Sequence, residues 1–315
     1  MLIITVAVNA QVKDSIPRKT KKIITDKFPT MRALDFQYEQ FLPTDFTSKL
    51  KDKDFEKGRL SNHYRFKVAA NIPVYKSKRF FITNSLRYKY EAFEFDNMND
   101  QITNTPFTRN QKEFHYLSGS LNFTYFSSLF KKPIIYNASA IVDGNEKSVQ
   151  RIKGMVSATM VIKKTERTLM TIGLVGIIDA TSIVPIVPSF SYEHRFLNSP
   201  WSIDIIMPQR LLFKRQLLEN GRLSLGTEFA SQGFYLAPNS PYFKGDYEFN
   251  QLELKSGLTY EYHISQKLIA TFKAGVLHAL NTRITERGEP FKDYTLETKQ
   301  DPTGYFNLGF SYNAF

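Results

Sequence analysis

Cysteine is absent from all 315 residues and tryptophan occurs once. An exported chain without cysteine has no disulfide framework and draws its stability from backbone hydrogen bonds and packing. Long apolar runs are nearly missing as well. Mean hydropathy is −0.33, although 42% of the residues are hydrophobic and 14% aromatic. A helical membrane protein of this length averages well above zero, whereas a membrane barrel hides its apolar surface in alternate residues. The single long apolar stretch, Thr168 to Tyr192, is interrupted only by Asp179 and could span a bilayer as a helix. Gly173, Gly176, Pro185, Pro188 and the β-branched residues around them argue instead for two strands joined near Asp179-Ala-Thr-Ser. Catalytic and cofactor motifs are missing too. The five histidines, His63, His115, His194, His263 and His278, show no metal-ligand spacing, and there is no phosphate loop, dinucleotide fingerprint or GxSxG elbow. Asp143-Gly-Asn-Glu146 is a fragment of a calcium loop without its other ligands, and so a plain turn. No cofactor or metal is expected.

What the chain does have is alternation, carried by 27 phenylalanines and 17 tyrosines. Leu34, Phe36 and Tyr38 oppose Asp35, Gln37 and Glu39; Tyr64, Phe66 and Val68 oppose Arg65 and Lys67; Leu86, Tyr88 and Tyr90 oppose Arg87, Lys89 and Glu91. Leu252, Leu254, Leu258, Tyr260 and Tyr262 oppose Glu253, Lys255, Thr259 and Glu261. A 180° repeat gives a ribbon with one greasy and one wet face. The last residues repeat the pattern to the end: Phe306, Leu308, Phe310 and Tyr312 against Asn307, Gly309, Ser311 and Asn313. A soluble protein would leave that aromatic edge exposed.

Short connections near Tyr75-Arg79, Ser127-Pro133, Lys163-Arg167, Leu197-Pro200, Glu219-Gly221 and Ser265-Lys267 alternate with long polar ones. The long ones fall near Pro43-Gly58, Glu94-Asn110, Asp143-Gln150, Ala237-Glu248 and Ile284-Thr303. Tight turns on one side and longer loops on the other mark a membrane barrel. The expected fold is therefore all-β: a closed antiparallel transmembrane β-barrel over residues 31–315 with fourteen strands. The count falls to twelve if Trp201 to Leu218, broken by Pro208, is one bent strand. Residues 1–10 read as a truncated signal-peptide remnant with Val8-Asn-Ala10 as a small-residue cleavage site, a short buried strand being the alternative. Residues 11–30, polar and basic with Pro17 and Pro29, read as a periplasmic N-terminal linker too short for a plug.

The formal charge is +12, with the excess at the short turns: Lys76, Lys78, Arg79, Lys131, Lys132, Lys163, Lys164, Arg167, Arg195, Arg222 and Lys267. Such a rim can face anionic lipid head groups or be ordinary solvated turn lysines. Nucleic acid is excluded as a partner, because basic and aromatic residues alternate across the sheet rather than sharing a face. With the greasy face outward, Asp35, Glu39, Arg65, Lys67, Arg87, Lys89, Glu91, Glu228, Glu253, Lys255 and Glu261 face the lumen. A barrel of this size leaves a lumen too wide for side chains to fill. These charges then form either an ion-pair network bracing the wall or charge rings in a solvated channel. Ser61 and His63 lie two residues apart on one strand face, and no third group orients them.

The Asn9-Ala-Gln11 junction, Pro188-Ser-Phe-Ser-Tyr192, Trp201-Ser-Ile-Asp-Ile-Ile-Met-Pro208 and the Phe-terminated last strand resemble uncharacterised outer-membrane β-barrel families of the Bacteroidota. The resemblance implies export, contact with outer-membrane lipids and insertion by the barrel-assembly machinery. In the usual insertion signal, alternate residues counted back from the terminal Phe are apolar; here Asn313, Ser311 and Gly309 hold those places. Either Ala314 marks a bulge or the last two residues lie beyond the strand. Three functions follow in order: a passive pore or small-solute channel, a non-conducting structural or adhesive barrel, and a lipid-modifying enzyme using Ser61 and His63.

Overall fold

The computed structural model describes residues 24–100, 105–107, 110–179, 181–182, 184–238 and 243–314. The expected leader and most of the expected linker lie outside them. Fourteen antiparallel strands close into a barrel. β1 runs Leu34–Phe41 and resumes as Thr44–Leu50. β2 (Lys53–Lys76) and β3 (Phe80–Asp100) follow, then β4, which comprises Thr105–Phe107 and Asn110–Leu129. β5 (Lys132–Gly144), β6 (Val149–Lys164), β7 (Thr168–Ile178) and β8 (Ile186–Arg195) continue the wall. β9 (Trp201–Met207), β10 (Arg210–Leu217), β11 (Gly221–Leu236), β12 (Tyr247–His263) and β13 (Leu268–Glu286) lead to β14, which comprises Tyr294–Gln300 and Thr303–Tyr312. The first strand pairs with the last, Leu34 opposite Tyr312 through Phe41 opposite Tyr305, so the sheet has no free edge. Trp201 to Leu217 is a hairpin turning at Pro208-Gln209, which makes the count fourteen rather than twelve. The apolar stretch from Thr168 is likewise two paired strands, with Ile186 opposite Gly176. No helix among the described residues is long and apolar enough to cross a membrane.

Leu34, Phe36, Leu86, Leu121, Phe272, Leu308 and Phe310 are exposed on the outer wall, while the alternating Asp35, Arg65, Ser85, Glu253, Asn307 and Ser311 are buried inside. β14 ends at Tyr312, and the Asn313 N–H donates to the Lys267 carbonyl at 2.7 Å. Asn313 and Ala314 therefore lie beyond the strand, and no bulge is needed.

Several expected loops are strand instead. Lys53–Gly58 belongs to β2, Thr44–Leu50 pairs with it, and Leu50 also lies opposite Leu296 of β14. The connection shrinks to Lys51 and Asp52, both at positive φ (47° and 67°), the geometry of a tight hairpin turn. Residues 145–148 are also a short turn. Polarity was misleading here because charges such as Lys49 and Asp54 face outward into water while Thr44, Ser48, Phe55 and Leu60 turn inward.

Two breaks change which residues face in. β1 is interrupted at Leu42-Pro43 and β14 at Asp301-Pro302, side by side in neighbouring strands, where each proline lacks a donor for the ladder. The Leu42 N–H donates to the Gly304 carbonyl and the Thr303 hydroxyl to the Leu42 carbonyl, which bridges the gap. Odd-numbered residues of β1 (Asp35, Glu39, Phe41) point inward before the break, and even-numbered ones (Thr44, Ser48) after it. β14 switches likewise between Leu296 and Tyr305. In β2 the two residue shifts in the pairing with β3, after Lys57 and after Leu60, cancel: Leu60 turns inward between them, and odd-numbered residues face in on both sides (Phe55, His63, Arg65).

The lumen is not left wide. The outer half of β11, from Phe229, pairs with β12 alone, because β10 pairs only as far as Arg210 opposite Glu228. That outer hairpin is buried on both faces: neighbouring Phe234 and Tyr235 of β11, and neighbouring Tyr247 and Glu248 of β12, are all buried. It folds across the interior and meets β4, the strand seven places round the ring, where the Phe114 and Phe234 rings stack at 4.2 Å. Gly226, Gly257 and Gly275 lie in one row across β11, β12 and β13 at the foot of this bend. A Cβ on Gly257 would meet the Ala274 carbonyl oxygen at 2.2 Å, and one on Gly226 would meet that of Leu211 at 2.0 Å. The row admits a close backbone approach that no side chain permits. Gly257→Ala is expected to destabilise the barrel by about 1–3 kcal/mol through overpacking, read as a lower urea midpoint after reconstitution in lipid.

Candidate functional site

The crossing hairpin, a charge network and a docked segment are three obstructions along the axis of the interior. At the end away from the termini lies an aromatic vestibule of about 500 Å³. Phe46, Phe55, Phe93, Phe95, Phe114, Phe234, Phe243 and Phe249 line it with Leu60, Leu236, Ile284 and Leu296. The Phe234 and Phe249 rings stack at 4.3 Å, and Phe93 sits 6.0 Å from Phe114 and from Phe234. Ser48, Glu56, Lys112, Gln251, Thr282, Thr298 and Gln300 supply the few polar groups. The volume and the mostly apolar lining are those of a small-molecule site.

Below the vestibule, charges fill the lumen. The Arg65 guanidinium donates to Glu39 Oε2 at 3.0 Å, Glu91 Oε1 at 2.5 Å and Glu253 Oε1 at 2.9 Å. Lys255 Nζ lies 2.8 Å from Glu39 and 3.3 Å from Glu253, and Lys67 Nζ lies 2.8 Å from Glu39. Arg65, Glu91 and Glu253 are fully buried. They come from β2, β3 and β12, so the cluster ties walls that are not neighbours. His63 caps it: its ring lies between Phe41 at 4.2 Å and Phe93 at 4.4 Å, with Nε2 2.9 Å from Glu91. Phe93 thus belongs both to the vestibule floor and to the roof of the charge network.

The third obstruction is the chain's own segment before β1. Residues 24–27 form one helical turn and Pro29–Met31 a 3-10 turn, placed inside the end that carries the termini. Lys27 Nζ lies 2.7 Å from Glu193 and 3.3 Å from Asp204, Arg222 lies 2.7 Å from Asp26, and Arg32 lies 2.6 Å from Glu261. Arg210 donates to the Lys27 carbonyl at 2.6 Å and Asn71 to that of Thr30 at 2.9 Å. Asp204 also holds Arg210 and Lys214. Residues 24–30, the end of the expected periplasmic linker, are therefore docked across the mouth. Arg222, expected on the outer basic rim, points inward for the same reason.

All the charged residues singled out from the sequence face the interior, but they do not form one set. Glu39, Arg65, Lys67, Glu91, Glu253 and Lys255 meet in the central cluster, and Lys89 joins at 3.4 Å from Glu91. Glu261 serves the docked segment. Asp35 accepts from Ser311 at 2.5 Å and from Gln37 at 2.6 Å. Glu228 pairs with Lys273 at 2.6 Å, and Arg87 donates to Asn71 and the Thr30 carbonyl. Ser61 and His63 do not face one another as a catalytic pair would. The Ser61 hydroxyl donates to the Glu94 carbonyl at 3.0 Å, and His63 is enclosed by two rings. Among the described residues no group of acidic or histidine side chains is placed to hold a metal.

The vestibule was missed because aromatic residues were assigned outward as a class. One signal was available: Phe93 and Phe95 continue the inward phase of Lys89 and Glu91, and Phe41 that of Asp35 and Glu39. Arg65→Ala leaves three buried glutamates without their shared partner and is expected to cost about 3–5 kcal/mol, measured as a fall in the urea midpoint in lipid.

No curated protein matches the chain. Solved structures to which the chain is similar include the COG4313 outer membrane channel from Pseudomonas putida F1 (8% identity, 88% of this chain and 93% of that one, TM-score 0.39). The P. putida toluene transporter TodX is similar at 9% identity over 89% of each chain, TM-score 0.34. So is the outer membrane protease OmpT from Escherichia coli, at 9% identity over 88% of this chain and 93% of that one, TM-score 0.26. A channel, a transporter and a protease share this likeness, which is one of fold alone. A family described only as a domain of unknown function, DUF6268, matches residues 35–313, the whole wall from β1 to the end of β14, and the chain belongs to it.

Proposed function

We propose that this chain is an outer-membrane channel of a Gram-negative bacterium that admits a small, largely apolar solute through the aromatic vestibule. The observation that carries the reading is the cavity itself: eight phenylalanines turned inward, against the alternation that elsewhere sends aromatic residues to lipid. The outer apolar band suits a bilayer. The exposed Lys78, Arg79, Lys131, Lys164, Arg167 and Lys267 at the terminal-side turns suit anionic phospholipid head groups. Insertion through the barrel-assembly machinery belongs to the same reading. A wide water-filled pore is less favoured, since a crossing hairpin, a buried charge network and the docked segment each occupy the lumen. Passage then requires at least the docked segment to move.

Naphthol, a neutral bicyclic probe, tests the vestibule. Calorimetry on the protein in nanodiscs, with empty nanodiscs subtracted, is expected to show saturable binding. Phe249→Ala should weaken it about tenfold, the equivalent of 1.4 kcal/mol. Absence of saturable binding by the folded protein rejects the proposal.

The occupied lumen also favours a second reading, a non-conducting structural or adhesive barrel. The double variant Asp204→Ala, Glu261→Ala removes carboxylates that hold Lys27 and Arg32. In a planar bilayer it is expected to conduct ions more often than the unaltered protein; silence in both forms supports the scaffold.

A further inference from the structure

Beneath the aromatic vestibule lies a second cavity of about 380 Å³, and Phe234 is part of the wall of both. Its lining differs in kind. Lys67, Arg87 and Lys89 enter from β2 and β3 and Lys153 from β6, while Tyr235, Glu248 and Asn250 of the crossing hairpin close the opposite side. Thr30 of the docked segment lines it as well.

The charged lining is mainly cationic, with Lys67, Arg87, Lys89 and Lys153 against Asp35 and Glu248. Lys67 and Lys153 are 25% and 22% exposed, whereas their partners Glu39 and Asp143 are 6% and 0% exposed. Lys89 has the fully buried Glu91 behind it, at 3.4 Å, and donates to the Gly233 carbonyl at 2.8 Å. Arg87 has no carboxylate within ion-pair distance among the described residues. Its guanidinium donates to the carbonyls of Ala70, Leu86 and Thr30 and to Asn71 Oδ1. Asp35, the acidic residue on the same side, is itself buried and already accepts from Ser311 and Gln37. Glu39, Glu91 and Asp143 are thus held within the wall and Glu248 is paired with Arg151, which leaves a cationic excess in the lining. A low-dielectric chamber makes such a surface attractive to an anion, and charge-assisted bonds from Arg87 and Lys89 exceed those they now make to neutral carbonyls.

We infer that the solute is an amphipathic organic anion, its apolar part held by the phenylalanines of the vestibule and its acidic head by Arg87 and Lys89 in the basic chamber. The inference rests on the vestibule reading above and adds the charge of the ligand to it. The two environments are close enough for one small molecule: Lys89 Nζ lies 5.5 Å from the centre of the Phe234 ring and 5.6 Å from that of Tyr116. A solute seated on Phe234 and Phe249 needs only a short chain to bring its head to that ammonium. Arg87, two residues before Lys89 on the same face of β3, would take the head as it moves towards the docked segment.

Three probes with one skeleton separate the contributions: naphthylacetate, naphthylethanol and naphthylethylamine, titrated calorimetrically into the full protein in nanodiscs. The anion is expected to bind about tenfold tighter than the alcohol, a difference of 1.4 kcal/mol, and the amine more weakly than either. Raising the salt concentration should narrow the gap. The double variant Arg87→Gln, Lys89→Gln, shown to be folded by its heat-dependent mobility on a gel, should bring the anion down to the alcohol and leave the alcohol unchanged. Arg87→Gln alone, which leaves the central network intact, should remove part of the preference. Equal binding of anion and alcohol overturns the inference and leaves the apolar vestibule standing. A preference that survives both substitutions overturns this chamber as its source. Failure of all three probes to bind overturns the vestibule reading and the inference with it.

Discussion

The inward or outward phase of each strand is the constraint on which the rest of this protein depends. A closed sheet in a bilayer satisfies its backbone internally and has one face for lipid and one for the lumen. Successive side chains alternate between them, so shifting a strand by one residue exchanges its two faces. In β1 and β14 the exchange happens at Pro43 and Pro302, adjacent in the wall; in β2 it happens twice, after Lys57 and after Leu60, so only Leu60 between the shifts changes side. Before the proline of β1 and after that of β14 the lumen receives Asp35, Glu39 and Asn307; on their other side it receives Thr44, Ser48 and Leu296. A charged interior and an apolar vestibule can therefore follow one another along the same strands.

The interior so produced is filled rather than hollow. The glycine row Gly226, Gly257, Gly275 lets the outer β11–β12 hairpin leave the wall, and its aromatic face closes on Phe93 and Phe114. Its other face is polar and engages β5 and β6: the Tyr235 hydroxyl donates to Asp143 at 2.7 Å, and Glu248 pairs with Arg151. One hairpin thus forms a wall of the vestibule and a wall of the basic chamber. Removing two faces of a strand pair from lipid requires partners on both sides, and this hairpin has them. The Arg65 cluster secures the same region from below, because buried carboxylates this close together are tolerable only with shared cations.

How much of this was legible follows from which interactions are local. Leu252 to Ile264 shows its two faces in order, and Glu253, Lys255 and Glu261 lie inside. The hairpin at Pro208 and the paired strands within Thr168 to Tyr192 were readable from proline, glycine and β-branched residues. Charge was the weaker guide. It suggested loops where Lys49 and Asp54 sit on paired strands, and it did not show that Asp26 and Lys27 of the expected linker are bound by Arg222 and Asp204. A run of charges reports contact with water or with opposite charge, and only the fold says which.

By itself the sequence determined the architecture: a closed antiparallel sheet of fourteen or twelve strands and the two faces of most ribbons, because a two-residue period and turn chemistry are properties of neighbouring residues. The tertiary structure decided what the lumen contains. Phe114 meets Phe234 across the ring, Arg65 meets Glu253 from strands far apart in the chain, and Arg32 meets Glu261 near the opposite terminus. Those meetings depend on curvature, on register breaks and on a hairpin folding inward. Such features become visible only when all fourteen strands are in place at once.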